Sequence, residues 1–537
     1  MTFAIDRRRM LHLMTSVLAA GAVLRANPVW ASALISAFAQ SLSAAAEDDE
    51  VLAGFYRNRN YATVWTGDAD AERRQTLLTA FDMAGAHGLP VERYDATALR
   101  EAFANAQTEG DLGRLEVAMS RAYQAYVRDL SSGALEPTKI EAGIKREVVR
   151  PDPALVLIAA VQGDFAGYLN SVAPQAAEYA RLMKEKFALE ALVASGGFGP
   201  QINASSIDMG ETGVAVVQLR DRLQALGYLE RSFTETYNSA IAQAVQRFQL
   251  DHGIEADGVA DKRTVIALNI DAGQRLQAVV VAMERLRWMG NTPRGSRHIW
   301  VNQPDFIARV IDDGKVTFET RVVIGKIGRD TESPEFSDVM EFMVVNPTWS
   351  VPRSITVKEY LPMLQRNANA QGQLQVIDRA GRVVSRDAIN FAAYDVHNFP
   401  FALRQPPSDG NALGKVKFMF PNQYNIYLHD TPTKSLFAKE VRAFSHGCIR
   451  VGSPFDLAYV LLSRQTDDPQ GLFKSYLKGG RESVLNIEQP IPVHLVYFTA
   501  WPTEQGRIRY LNDIYGRDAM IMDALAKAGV VLPGVQS

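Results

Sequence analysis

Hydrophobic residues recur every three to four positions from about residue 47 to residue 193, and this spacing predicts amphipathic α-helices. Glycine and proline then cluster in Ser195-Gly196-Gly197-Phe198-Gly199-Pro200, which breaks any helix. We therefore predict an α-helical domain over residues 47–200. Its repeating apolar positions include Leu77, Leu78, Phe81 and Ala84, and then Leu115, Met119, Ala122 and Tyr126.

Three shorter helical patterns follow within residues 207–270. Gly227 ends the first pattern, Asp257-Gly258 predicts a turn after the second, and Asp261 is placed to cap the third by accepting hydrogen bonds from its free amides. This region is predicted to be a small three-helix bundle. The apolar positions are Val216, Leu219, Leu223 and Leu226, then Ile241, Val245 and Phe248, then Val265 and Leu268.

The pattern then changes from helical spacing to the alternation that is typical of β-strands. Residues 273–500 are predicted to form a β-rich domain that begins with one helix and is interrupted by an insertion over residues 353–415. Residues 501–537 are expected to be a C-terminal tail. The whole chain is thus predicted to be an α+β multidomain protein. Predicted strands lie around Ile299–Val301, Phe306–Val310, Thr320–Ile324, Met340–Val345, Val416–Phe420 and Asn425–His429. Residues Leu361 to Leu364 are predicted to be helical, and another helix is predicted to begin at Pro454 with Ser453 as its N-cap.

Length and charge restrict the classes of function. A chain of 537 residues exceeds one ordinary hydrophobic core, so several domains are expected. The net charge is −3, with 57 basic and 60 acidic residues mixed along the chain, so nothing indicates binding to nucleic acid or to a lipid surface. Cys448 is the single cysteine, which excludes a disulfide framework within the chain.

The N-terminus predicts export from the cytoplasm. Arginines 7 to 9 precede an apolar stretch from Leu11 to Leu24 and then small residues, including Ala37-Phe38-Ala39. The arginine pair resembles a twin-arginine signal, and the apolar run is shorter than the roughly 20 residues that span a bilayer. We expect residues 1–39 to be an export signal and the mature protein to lie in the periplasm or cell envelope, without lasting insertion in a membrane. An uncleaved anchor remains an alternative.

Cys448 lies in Ser445-His446-Gly447-Cys448-Ile449-Arg450 and is the candidate nucleophile. Its thiol must be deprotonated to react, so a histidine base is needed within hydrogen-bonding reach. His446 lies two residues away, which along a strand is about 6.5 Å, too far for a good hydrogen bond. His429 ends a separate predicted strand and can lie opposite Cys448 if the two strands are neighbours. We therefore predict His429 as general base and His446 as a substrate-positioning residue.

These motifs resemble the YkuD-type L,D-transpeptidases, and in particular the large YcbB-type branch. The likeness rests on the cysteine motif with His429-Asp430-Thr431, on segments 283–288, 346–352 and 417–422, and on residues 223–229 and 248–258, which resemble a peptidoglycan-binding domain. It implies a helical scaffold, a three-helix peptidoglycan-binding bundle and a β-rich YkuD-type catalytic domain with a capping insertion. Arg450 stands where many smaller relatives have asparagine, so its role cannot be transferred from them.

The resemblance implies a role in cell-wall biogenesis and cell shape. Cys448 would attack a tetrapeptide stem of peptidoglycan before its terminal D-alanine, and an amine of a second stem would resolve the thioester to give a 3-3 cross-link. Carbapenem-type inhibitors are expected to acylate Cys448, and no cofactor or metal is expected.

Backbone amides around Gly447 would stabilise the oxyanion, and the Asp430 carbonyl would orient His429. Arg450 is a candidate for holding a donor carboxylate. Ser445 and Tyr427 are further candidates for substrate contact, since Tyr427 alternates onto the strand face of His429.

Other interpretations remain open from the sequence. A carboxypeptidase or amidase would form the same acyl-enzyme and transfer it to water, and a wall-binding scaffold could keep the fold without activity. A zinc site made of His429, His446 and Cys448 has suitable ligand types but no clear fourth ligand. His446 as a purely structural hydrogen-bonding residue and Arg450 as a strand-end ion pair are alternatives to their proposed contacts with substrate.

Overall fold

The computed structural model describes residues 36–328, 330–503, 506–532 and 534. The predicted export signal lies outside them except for its last four residues, where Ser36 caps a helix that starts at Ala37. The N-terminal region within the described residues is helical. Its helices are α1 (Ala37–Ala45), α2 (Glu50–Asn58), α3 (Ala71–Asp82), α4 (Ala96–Asn105), α5 (Glu109–Ser132), α6 (Pro137–Ile140), α7 (Pro153–Ala159), α8 (Phe165–Val172) and α9 (Ala177–Ala194).

Helix α5 organises this helical region. A capping box between Thr108 and Asp111 starts the helix, and its buried side packs against α1 and several later helices. Glu116 is fully buried on α5, where its carboxylate accepts hydrogen bonds from the Val64 and Thr66 amides. These bonds satisfy a charge that would otherwise be costly to bury, and they fix the loop after α2 against α5.

The small bundle has the three predicted helices, α10 (Val214–Ala225), α11 (Ser239–Asp251) and α12 (Lys262–Leu268). Gly227 adopts a positive φ of 73° directly after α10, and Asp261 Oδ1 accepts a hydrogen bond from the Thr264 amide at 2.9 Å. The predicted turn at Asp257-Gly258 is held by Gln249, whose side chain accepts the Gly258 amide. Both capping predictions for this bundle agree with the structure.

Helix α13 (Ala272–Met289) connects the bundle to the sheet domain, and every residue from Val279 to Trp288 is buried. Glu284 on α13 accepts hydrogen bonds from the Leu135 amide and from the Arg287 and Trp288 side chains, which ties the helical region to α13. Within the described part of the chain, no single helix is long and apolar enough to cross a membrane. Two consecutive helices, Lys262–Leu268 and Ala272–Met289, together have the length and apolar composition of a membrane span, but the chain bends by 77° between them.

A nine-stranded sheet forms the body of the C-terminal half. Its order is β11-β3-β12-β10-β9-β4-β13-β1-β2, and an additional β2–β3 pairing closes the strands from β3 to β2 into a ring. The strands are β1 (Arg297–Asn302), β2 (Ile307–Asp312), β3 (Lys315–Gly325), β4 (Phe336–Val345), β9 (Val416–Met419), β10 (Leu428–His429), β11 (Ala443–Ser445), β12 (Ile449–Val451) and β13 (Ser483–Val496). Two helices, α16 (Pro454–Leu462) and α17 (Pro469–Lys478), belong to the same body.

The predicted insertion forms a small unit with its own hydrophobic cluster, which includes Leu361, Leu364 and Val376. Its four-stranded sheet has the order β5-β8-β6-β7. The helical turn around Leu361 was predicted, whereas the short strands were not, because the polar sequence around them shows little alternation. The elements are β5 (Trp349–Ser350), α14 (Arg353–Ile355), a π-helical turn (Thr356–Tyr360), α15 (Leu361–Arg366), β6 (Gln375–Ile377), β7 (Val383–Val384) and β8 (Ala402–Gln405).

Two local expectations differ from the structure. Helix α16 starts at Pro454 as predicted, but the Ser453 side chain forms no capping hydrogen bond, and its amide instead donates to Thr320 Oγ1 at 3.0 Å. The segment expected as a tail is folded into β14 (Ala500–Pro502), β15 (Ile508–Tyr510) and α18 (Arg517–Lys527). Arg517 at the start of α18 is fully buried, and the burial of its charge is compensated by hydrogen bonds to groups of the loop before β4.

Candidate active site

Strand register brings five chemically active side chains to one face of the sheet. In the register, His429 on β10 pairs with Lys417 on β9 and with Arg450 on β12. The next row contains Tyr427, whose carbonyl accepts the Ile449 amide, beside Cys448. Successive residues of a strand point to opposite faces, so these side chains share one face. Their neighbours Phe418, Leu428 and Ile449 are completely buried in the core on the other face.

The orientation of His429 is fixed by its own neighbour in sequence. Its Nδ1 hydrogen-bonds the backbone carbonyl of Asp430, as the sequence predicted, which leaves Nε2 as the free nitrogen of the ring. The Asp430 carboxylate is itself held by the Lys415 and Thr431 amides and by Lys434. The carbonyl that orients the imidazole is therefore anchored on both sides.

Electrostatics keep His429 neutral in the free protein. Burial and then the positive charge of Arg450 lower the pKa of His429 from 6.5 to about 3, and the nearby charge of Lys417 acts in the same direction. The hydrogen bond to the Asp430 carbonyl opposes this effect. At neutral pH the ring therefore carries one proton, on Nδ1, and Nε2 has a free lone pair that can accept a second.

Cys448 is partly accessible and is a thiol in the resting state. Burial raises the pKa of Cys448 from 9.0 to about 11, while hydrogen bonds from Tyr427 and the charges of Arg450 and Lys417 oppose the increase. The Sγ atom lies 3.6 Å from the Asn425 carbonyl oxygen. Among the described residues we find no hydrogen bond between Cys448 and His429, so the thiol and the imidazole are not directly paired in the free protein.

The register corrects one geometric expectation. The sequence placed His429 directly opposite Cys448, whereas His429 pairs with Arg450 and Cys448 lies beside Tyr427. His429 thus approaches the thiol diagonally, from a position two residues further along the chain than Tyr427. Tyr427 occupies the opposite position and lies close to both groups, since its ring centroid is 5.7 Å from that of His429 and its hydroxyl hydrogen-bonds Cys448.

The turn before Cys448 is closed by Ser445. The Ser445 hydroxyl donates to the Cys448 carbonyl and accepts the Gly447 amide at 3.2 Å. Gly447 has a φ of 113°, which only glycine adopts readily, and an added Cβ would lie 3.3 Å from Ile426. Ser445 is buried, and it holds the turn in this structure instead of facing substrate as we expected. The Gly447 amide is also already bonded, whereas no hydrogen bond donated by the Cys448 amide is found among the described residues.

Three residues distant in sequence support the same turn, and the sequence analysis missed all of them. Ser333 Oγ donates to the Gly447 carbonyl at 2.7 Å and accepts the Gly325 amide. Tyr515 donates to the Gly325 carbonyl at 2.6 Å, and Arg517 donates to the Ser333 carbonyl at 3.1 Å. The folded C-terminal segment therefore supports the turn that carries Cys448. No local motif marks these residues, because their contacts span more than 100 positions of sequence.

His446 points away from Cys448 and toward the insertion. Its Nε2 lies 2.6 Å from Glu359 Oε1 on the π-helical turn and 3.2 Å from Lys326 Nζ. This agrees with the assignment of the base to His429, and it gives His446 a contact with the insertion where we had expected one with substrate. In the described residues, no three His, Cys, Asp or Glu side chains are grouped to hold a metal ion.

Family models match three parts of the chain. Residues 50–185 match a model described as "Scaffold domain", residues 212–268 match "Putative peptidoglycan binding domain", and residues 296–468 match the YkuD "L,D-transpeptidase catalytic domain". A protein of Haemophilus influenzae named "Putative L,D-transpeptidase" is 34% identical over 247 residues. That alignment covers 46% of this chain and 49% of the relative, so the chain spans about half the length of the curated relative.

Two solved L,D-transpeptidase structures also match. The protein of Xylanimonas cellulosilytica is 18% identical with a TM-score of 0.17, and the match covers 56% of this chain and 98% of that one. The protein of Stackebrandtia nassauensis is 15% identical with a TM-score of 0.22, over 56% of this chain and 97% of that one. From the family models and the H. influenzae relative, this chain contains an L,D-transpeptidase catalytic domain of the YkuD family together with a peptidoglycan-binding domain.

Proposed function

We propose that this protein forms 3-3 cross-links in peptidoglycan through a thioester on Cys448. The observation that carries the proposal is the shared sheet face of Cys448, His429 and Tyr427, in which a thiol with limited access lies beside an imidazole whose Nε2 is free. The match of residues 296–468 to an L,D-transpeptidase catalytic domain supports the proposal, and the cysteine mechanism is our inference for this chain.

In the proposed acylation, Cys448 Sγ attacks the carbonyl carbon between the third residue of a tetrapeptide stem and its terminal D-alanine. The thiol proton passes to His429 Nε2 as the S–C bond forms. The imidazolium then gives this proton to the departing amine as the C–N bond breaks, and D-alanine leaves. The unbonded amide of Cys448 is placed to stabilise the oxyanion, because it belongs to the nucleophile itself.

The second half-reaction returns the enzyme to its starting state. An amine of another stem, which we infer to be that of diaminopimelate, attacks the thioester and loses a proton to His429. The thiolate of Cys448 leaves and recovers that proton. The two peptidoglycan-directed domains indicate the cell envelope or periplasm as the place of action, and we propose peptidoglycan stems as both donor and acceptor.

Transfer of the acyl group to water, instead of to an amine, would make the protein a carboxypeptidase. The position of the insertion is relevant to the choice between water and an amine. Glu359 of the insertion bonds to His446, and Lys358 forms an ion pair of 3.0 Å with Asp330. The insertion is thus attached to the polypeptide around the nucleophile. We propose that it limits the access of water to the thioester and so favours transfer to an amine.

The test is incubation of the full-length protein with tetrapeptide muropeptides, followed by mass spectrometry of the products. Dimers joined through their third residues support transpeptidation, whereas monomers that lack D-alanine support carboxypeptidase action. Cys448→Ala must abolish both products. Unchanged substrate with the unmodified protein would favour a wall-binding scaffold without activity.

Two variant pairs sharpen the assignments. His429→Ala is expected to lower acylation far more than His446→Ala, and the reverse order would contradict His429 as the base. Glu359→Gln removes the charge that attaches the insertion to His446 and is expected to raise the ratio of hydrolysis to cross-linking. An unchanged ratio, also after deletion of the insertion, would refute a role for the insertion in excluding water. Acylation of Cys448 by a carbapenem is a further check on the nucleophile.

A further inference from the structure

Lys417 and Arg450 lie on either side of His429 in one row across three neighbouring strands. Both side chains are partly buried and share the sheet face of Cys448. The Lys417 Nζ lies 5.9 Å from the ring centroid of Tyr427, which itself contacts Cys448. Two fixed positive charges therefore flank the catalytic pair, one from each neighbouring strand.

Neither cation is in a direct ion pair, although the negative charge of Glu482 acts on Lys417 from a greater distance. Within the described ranges, neither Lys417 nor Arg450 forms a salt bridge, although 31 other ion pairs are found there. The Arg450 Nε is buried and has no hydrogen-bond partner. Buried polar groups are nearly always hydrogen-bonded, so Arg450 keeps unused hydrogen-bonding capacity beside the reaction site, as eleven other buried side-chain atoms of the described residues do elsewhere.

We propose that Lys417 and Arg450 form an anion subsite that binds the terminal carboxylate of the donor stem, on the residue that leaves. This inference rests on the proposed function and specifies its substrate. The leaving carboxylate is separated from the scissile nitrogen by a single carbon. Residues two apart on a strand are about 6.5 Å apart, so a carboxylate at Arg450 is compatible with a scissile carbonyl at Cys448.

The chemistry of the two side chains suits this ligand. A guanidinium offers parallel N–H donors that match the two oxygens of a carboxylate, and an ammonium adds a compact charge from the other side. The subsite would select stems in which the residue after the scissile bond is the last one, because a longer stem presents an amide instead of a carboxylate at this distance from the scissile nitrogen. Charge would thus contribute to selection of the scissile bond.

Donor peptides that differ only in this carboxylate test the subsite. A tetrapeptide stem is compared with its C-terminal primary amide, and acylation is followed by intact-mass spectrometry, which reads a single site because the chain has one cysteine. We expect the acid to react roughly ten- to hundredfold faster in kcat/KM, since hydrogen bonds to charged groups are worth about 1.5–3 kcal/mol. Equal reactivity of acid and amide in the wild type overturns the proposal.

Variants assign the effect to the two cations. Lys417→Gln and Arg450→Gln remove a charge beside His429 and Cys448 and so change the reactivity toward both donors. They are expected to remove most of the advantage of the acid over the amide, whereas Lys417→Arg should retain it. Lys474→Gln serves as the matched control, because Lys474 is an exposed lysine of the same catalytic half. Equal slowing of both donors would mean a structural effect and would refute the subsite. If only the later transfer to an acceptor depends on Lys417, the carboxylate belongs to the acceptor and the donor assignment is wrong.

A binding test separates the subsite from catalysis. N-acetyl-D-alanine should slow alkylation of Cys448 by iodoacetamide in the unmodified protein, whereas N-acetyl-D-alaninamide should not. This measurement uses the unmodified protein and does not require turnover. It therefore decides whether the anion subsite exists even if Lys417→Gln fails to fold. Protection by the acid together with no acylation by any stem would reject the proposed function but support the anion subsite. Equal protection by both compounds would reject the subsite.

Discussion

Cys448 allows a direct measurement of the state of the active site, because alkylation of the whole chain reports on this thiol alone. Only the thiolate reacts with iodoacetamide, so the rate follows the fraction of Cys448 that is deprotonated. Burial raises the pKa of this thiol from 9.0 to about 11. We therefore expect the alkylation rate of the folded protein to rise about tenfold per pH unit from pH 7 to pH 10 without a plateau.

The magnitude follows from the two pKa values. At pH 8 a thiol with a pKa of 9.0 is about one-tenth deprotonated, and one with a pKa of about 11 is about one-thousandth deprotonated. The folded protein should thus react about a hundredfold more slowly at pH 8 than the same chain unfolded in urea, a difference of about 2.7 kcal/mol. His429 does not change its charge in this range, because its pKa is lowered to about 3.

The assay is a series of alkylation time courses read by intact-mass spectrometry, with circular dichroism to show that the protein stays folded at each pH. Tyr427→Phe removes a hydrogen bond that lowers the thiol pKa, so this variant should react still more slowly below pH 10. A rate that levels off below pH 8 would refute the reasoning. Such a plateau would show that Cys448 and His429 exist as a thiolate–imidazolium pair before substrate binds.

Three further predictions concern residues that support the fold and the site. Glu284→Ala leaves Arg287 buried without its ion pair, so the free energy of unfolding in urea should decrease by about 3–5 kcal/mol, and a loss below about 1 kcal/mol would contradict this role. Burial lowers the pKa of His494 from 6.5 to about 4, so this histidine binds a proton more readily in the unfolded chain than in the folded protein. The free energy of unfolding should therefore decrease by up to about 3 kcal/mol as the pH falls from 6.5 to 4. Thermal melts of His494→Gln should show a smaller loss of stability over the same pH range. Ser333→Ala removes the hydrogen bond to the Gly447 carbonyl and should lower kcat for acylation about tenfold with KM nearly unchanged, whereas an unaltered kcat would exclude this support.

The periodicity of the sequence was sufficient for the helices and for most strands of the large sheet. Leu77, Phe81 and Met119 are buried as their spacing predicted, and in the small bundle the first helix ends near the predicted glycine and the third begins at the predicted aspartate. These elements are predictable because helix and strand repeats and cap residues act within a few positions of each other. The short strands of the insertion escaped this reasoning, since two or three residues are too few to show alternation.

The sequence by itself identified Cys448, His429 and Asp430 as the candidate site residues, because the motif, the single cysteine and the neighbouring carbonyl are all local features. Only the tertiary structure decided that His429 pairs with Arg450 and Lys417, and that the C-terminal segment supports the turn at Gly447 through Ser333. Pairing of strands and burial of charged groups depend on contacts between distant segments, and a shift of register by one residue would turn each side chain to the other face of the sheet. The charges that control the proton on His429 are therefore a property of the fold.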